Sequence, residues 1–198
     1  MTWHKNGRTI DRMQLLGLAE STPKTESRWR ALFWPTIRNE TDLDQITRQG
    51  FWICFAAAVF AIVGSLSPGQ LIGVVEGAYF LLAGFGVRQR SRISAGAAFS
   101  SYLLAGFVMQ RYTGAGFGVL RILLQVLLFA NVRGIWLAAR WPADSEARFI
   151  SQPLNDTLGD KVTNLLPALL WPKLRYVFYV LAVLENAALL FLLFVPRG

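Results

Sequence analysis

Cysteine and histidine are almost missing from this sequence: Cys54 and His4 each stand alone. One cysteine excludes an intrachain disulfide. Together the two fall short of the three or four ligands that a Cys/His zinc site takes. No histidine and no aspartate lies in any of the long apolar runs. A Ser-His intramembrane protease therefore lacks its base, although Ser100 and Ser101 sit in such a run. An intramembrane aspartyl pair lacks both members. The first fifty residues carry charges throughout and no apolar core, which predicts no cleavable signal peptide. The glycine-rich "GAGFG" at 114–118 has no P-loop lysine and reads as a turn at a helix start. Cys54 reads as a small packing residue. No catalytic residue, cofactor or metal ion is expected.

What fills the chain instead is apolar. Hydrophobic residues make up 54% and charged residues only 16%, too little polar surface for a water-soluble domain of 198 residues. Five runs are long enough to consider as spans: 51–66, 71–87, 93–109, 116–139 and 176–195. A crossing helix takes roughly 17 to 25 residues, so the first three are short and borrow from their flanks or thin the bilayer. Backbone polar groups in lipid must be satisfied within the segment, which makes the spans helices. The predicted fold is an all-α integral membrane protein with five transmembrane helices and additional surface amphipathic helices.

Residues 1–50 form a predicted cytoplasmic N-terminal arm, and 51–195 the five-helix membrane domain with a cytoplasmic loop at 140–175. The connections "SPGQ", "RQRSR" and "RYTGAG" are short, so consecutive spans are adjacent and antiparallel. Thr41-x-x-Asp44 reads as a capping box opening a helix that runs into the first span. Thr157-x-x-Asp160 reads as another, opening a short helix with Leu158, Val162, Leu165 and Leu169 on one side, lying on the bilayer surface.

The net charge of +8 is distributed by side. Lys5, Arg8, Arg12, Lys24, Arg28, Arg30, Arg38 and Arg48 precede the first span. Arg88, Arg90 and Arg92 fill the second connection, and Arg140, Arg148, Lys161, Lys173 and Arg175 the fourth. The opposite side receives only Arg111 and Arg197. This bias places the N-terminus in the cytoplasm and the C-terminus outside, in the cytoplasmic (inner) membrane. It also accounts for the basic character without nucleic acid.

Two octapeptides echo each other, "ALFWPTIR" at 31–38 and "ALLWPKLR" at 168–175. Their flanks do not continue the match, which argues against duplication. A shared environment explains them better. Trp34, Trp171 and Trp141 (also followed by proline) all fall next to a span on the cytoplasmic side, where an indole ring favours the headgroup layer. The three are expected as interfacial anchors, with proline turning a surface segment into a crossing one.

Inside the spans the costly residues are Glu76, Arg121, Arg133 and Glu185, with Gln125, Asn131 and Asn186 as lesser ones. At about 1.5 Å per residue, Glu76 and Arg121 fall at similar depths from the outer end, and Glu185 and Arg133 at comparable depths from the inner end. Two intramembrane pairs are therefore expected, Glu76 with Arg121 and Glu185 with Arg133, with Asn131 beside the second. Gly73-x-x-x-Gly77 and the row Ala97, Ser101, Ala105 predict close helix packing. The function that fits is a non-catalytic accessory or interaction subunit, its partners the lipid bilayer and a membrane protein or a second copy. The alternative is a small oligomeric transporter or proton-coupled channel using Glu76 and Glu185. A lipid-acting membrane enzyme ranks third.

Overall fold

The structure is a computed structural model that describes residues 33–34, 40–65, 72–114, 118–140 and 158–196. The chain divides into two units, Met1–Trp34 and Pro35–Gly198. Of the first, only Phe33 and Trp34 are described. Among its described residues the second holds five helices: α1 Glu40–Gly64, α2 Ile72–Arg88, α3 Arg92–Thr113, α4 Val119–Ala138 and α5 Leu158–Phe194. No strand occurs among the described residues. Four helices, all but the 17-residue α2, are long and apolar enough to cross a membrane.

Helix ends follow local chemistry where caps are present. Ser91 takes an extended backbone and its side chain accepts from the Ser94 N–H, opening α3. Gly114 closes the same helix at φ 69°, a left-handed turn that glycine adopts without a Cβ clash. α1 begins at Glu40, ahead of Thr41, so the expected Thr41 cap does not open it. The helix does run unbroken into the first apolar run, as expected. Thr157, the other expected cap, lies outside the described residues.

The fifth helix corrects the expected boundaries. Residues 158–169 were expected as a separate surface helix, and Pro172 as a turn leading into a span at 176–195. Instead α5 is one helix of 37 residues with Pro167 and Pro172 inside it. Each proline removes one helical hydrogen bond, a cost of about 3 kcal/mol in water. In an apolar surrounding, breaking the helix outright would strand several backbone groups at once, so continuing through the prolines costs less.

The helices close a ring in the order α1–α2–α5–α3–α4, with α4 returning to α1 and α2 also touching α3 across it. α4 and α5 scarcely meet. The α1–α2 pair is the most extensive, and glycines on α2 explain why. A Cβ on Gly77 would stand 2.5 Å from Ile62 Cγ1 and 3.0 Å from the Ala58 carbonyl oxygen. Gly84 also lies close to α1, with Cys54 Cβ 3.1 Å from where its own Cβ would be. The Gly73-x-x-x-Gly77 spacing thus marks a real backbone approach. Cys54, Ala58, Tyr79, Ala83, Val87, Ala98 and Phe178 form the buried centre.

Candidate functional site

The polar residues inside this ring fall into two groups at different heights. The first surrounds Arg88, in the last turn of α2, whose side chain is only 7% exposed. Its Nη1 lies 2.7 Å from Asp44 Oδ1 and donates to the Asp44 carbonyl at 3.1 Å and to Thr47 Oγ1 at 2.9 Å. Its Nε donates to Asn164 Oδ1 at 3.1 Å, and Nη2 donates to the same oxygen. One guanidinium therefore ties α1, α2 and α5 together. Thr47 is fully buried beneath it, its own hydroxyl donating to the Asp44 carbonyl at 3.0 Å. Arg88 was expected as a loop charge. Its position at the end of an apolar run was the only signal that it belonged to the helix.

The second group lies mid-helix. Tyr79 Oη and Ser101 Oγ are 2.8 Å apart, and Asn186 Nδ2 lies 2.8 Å from the same Ser101 oxygen. The Ser100 hydroxyl donates to Asn186 Oδ1 at 2.7 Å. α2, α3 and α5 meet at this network. The Tyr79 ring stacks on Phe178, centroids 5.5 Å apart, which fixes its hydroxyl. Ser101 and Asn186 had been singled out for small size and polarity, but the sequence held no sign of their partnership or of Tyr79.

Next to the network sit the ionisable residues. Arg121 Nη2 donates to the Tyr102 carbonyl at 3.4 Å, and its guanidinium lies 5.2 Å from the Tyr102 ring centroid. Gln125 Nε2, one turn on, donates to the Phe99 carbonyl at 3.3 Å. α4 is thereby hung on backbone carbonyls of α3. Glu76 lies within electrostatic range of Arg121, Tyr102 and Glu185. Glu185 in turn lies within range of Tyr79. The structure thus brings Glu76 and Arg121 into one cluster, with no ion pair within 4 Å between them among the described residues.

The other expected pair is not brought together in this way. Glu185 is on α5 and Arg133 on α4, helices that share almost no surface, and the neighbouring charge of Glu185 is Glu76. Arg133 lies half-buried near the end of α4. Asn131, 1% exposed, packs against Gly50 of α1 and Val87 of α2, where a Cβ on Gly50 would collide with its amide. Its Nδ2 reaches the Leu127 carbonyl at 3.5 Å, while Oδ1 has no partner among the described residues.

Of the three expected anchors, Trp34 is 48% exposed and Trp141 lies outside the described residues. Trp171 is 7% exposed, its ring 5.5 Å from Phe178 and seated over Gly86, where a Cβ would stand 2.5 Å from its Cη2. It wedges α5 against α2, its ring turned inward into the bundle. Among the described residues no three His, Cys, Asp or Glu side chains gather as a metal-binding group. No protein-family model, curated protein or solved structure matches this chain. Fold and site define a class: an all-helical membrane-type bundle held by internal polar ties.

Proposed function

We propose that this chain is an integral protein of the cytoplasmic membrane, crossing five times with its N-terminus inside, and that it acts as a non-catalytic accessory or interaction subunit. The observation that carries the functional reading is the use of the buried polar side chains. Tyr79, Ser100, Ser101 and Asn186 bond one another, and Arg88 is spent on Asp44, Thr47 and Asn164. These groups hold helices together, and their polar atoms are committed to one another. α5 meanwhile turns most of its apolar surface outward, the kind of face that lipid or another membrane protein covers.

The fifth crossing rests on α2, which matches α1 from end to end. Gly73 lies against Ala61 and Ser65, and Arg88 against Asp44 and Thr47. Whatever depth α1 traverses between Thr47 and Ser65, α2 traverses in return. Seventeen residues give about 25 Å, short of the roughly 30 Å hydrocarbon core by an amount that local thinning accommodates.

A second reading, a small proton-coupled transporter, is favoured by one observation, the neighbourhood of Glu76 and Glu185 beside Arg121. Purification of the full chain in mild detergent separates the two. The accessory reading expects a membrane-protein partner or a second copy in fixed ratio, and no flux from reconstituted liposomes. Proton-dependent flux from the protein alone, lost in Glu76→Gln and Glu185→Gln, would replace it with the transporter.

A further inference from the structure

The exposed face of α5 carries an arrangement that none of the internal ties explains. Lys173 and Arg175 are both exposed, just before an apolar stretch. Arg175 Nη2 donates to Tyr176 Oη at 2.8 Å, and its guanidinium lies 4.7 Å from that ring's centroid. The tyrosine thus holds the cation on the surface of the helix. Beyond it, Tyr176, Val180, Val183 and Leu184 are 60 to 69% exposed and form a continuous apolar strip. Between Tyr176 and the end of α5 the helix runs about 30 Å, the thickness of a hydrocarbon core. At its far end Arg111 Nη2 donates to the Val195 carbonyl at 2.9 Å. With this stretch across the hydrocarbon core, the two cations fall at the level where acyl chains give way to phosphates. Pro172, also exposed, has no N–H, so the carbonyl of exposed Ala168 has no donor at the usual helical position.

We propose that this face of α5 holds an anionic phospholipid, its phosphate on Lys173 and Arg175 and its acyl chains along Val180, Val183 and Leu184. Charge and shape complementarity carry the assignment: two cations at phosphate height, an apolar strip beneath them, and a spare carbonyl acceptor for a headgroup hydroxyl. The proposal rests on the proposed membrane crossing of α5 for the height of the phosphates, and on the five-span topology for naming the leaflet, which is the inner one. A reversed topology moves the lipid to the other leaflet and leaves the binding intact.

Native mass spectrometry of the full chain, released from detergent containing equal phosphatidylglycerol and phosphatidylcholine, tests it. Preferential retention of phosphatidylglycerol is expected, falling about tenfold in Lys173→Gln/Arg175→Gln as two interfacial charges are lost. The charge-keeping exchange Lys173→Arg/Arg175→Lys should hold most of the preference, and it controls for misfolding. Arg90→Gln/Arg140→Gln, removing two exposed cations elsewhere, should leave it unchanged. An undiminished preference in the Lys173/Arg175 variant, an equal loss in the Arg90/Arg140 variant, or displacement of the lipid by free glycerol phosphate would each overturn the proposal.

Discussion

Arg88 concentrates the joining of three helices on one guanidinium. It is buried while its counter-ion Asp44 keeps a 40% exposed side chain, so water meets the carboxylate and not the arginine. Removing the carboxylate leaves the Asp44 carbonyl, Thr47 and Asn164 bonds in place. Removing the guanidinium loses all of them and parts α2 from Thr47 of α1 and Asn164 of α5. Arg88→Gln is thus expected to lower unfolding stability in detergent by about 2 to 3 kcal/mol, and Asp44→Asn by about 1 kcal/mol. Equal losses, or none for Arg88→Gln, would contradict the hub. The mid-helix network makes a separate prediction. Ser101→Ala and Asn186→Ala share one hydrogen bond, so their double-mutant cycle should show coupling of about 0.5 to 1 kcal/mol. The same cycle on Glu185 and Arg133, carried by helices that scarcely touch, should be additive within about 0.5 kcal/mol.

At the scale of the element, α5 shows what was legible in the sequence and what was not. Its apolar stretch near the C-terminus was evident, because a lipid-compatible run declares itself by composition. The extension back to Leu158 was not. Pro167 and Pro172 mark helix boundaries where water can satisfy a broken backbone, and that rule weakens where water is scarce. The inward turn of the Trp171 ring was not legible either, because an indole beside Pro and Arg reads alike whether it faces outward or inward. Direction follows from Gly86, on a different helix, leaving room for the ring. Trp171→Ala should therefore cost about 3 kcal/mol, as for other buried aromatics, and Trp34→Ala less than about 0.5 kcal/mol. Chemical denaturation of the two variants distinguishes them, and equal small losses would contradict the inward wedge of Trp171. Gly73-x-x-x-Gly77 was visible as a motif without an address. Gly77→Leu should now separate α1 from α2, seen in a Cys54→Ala background as loss of crosslinking between cysteines placed at Phe51 and Phe85, whose rings stack across that pair with centroids 6.1 Å apart.

For the whole molecule, the all-helical, membrane-type class followed from composition, whereas the ring order did not. Spacing along a chain states which residues share a face, but only contacts between helices say that α2 sits between α1 and α5. The expected match of Glu185 to Arg133 considered depth alone, and depth leaves the angular position around the ring undetermined. Topology remains the claim on which the orientation of Arg88, the α5 cations and the Arg111 end all depend. It is tested most directly by single cysteines in a Cys54→Ala background, probed with a membrane-impermeant thiol reagent in intact cells. Gln89, Thr113 and Pro196 are exposed positions beyond or at the ends of α2, α3 and α5. Five crossings with the N-terminus inside predict labelling of Thr113→Cys and Pro196→Cys in intact cells, and of Gln89→Cys only after permeabilisation. Labelling of Gln89→Cys in intact cells, with Thr113→Cys and Pro196→Cys protected, would contradict the account.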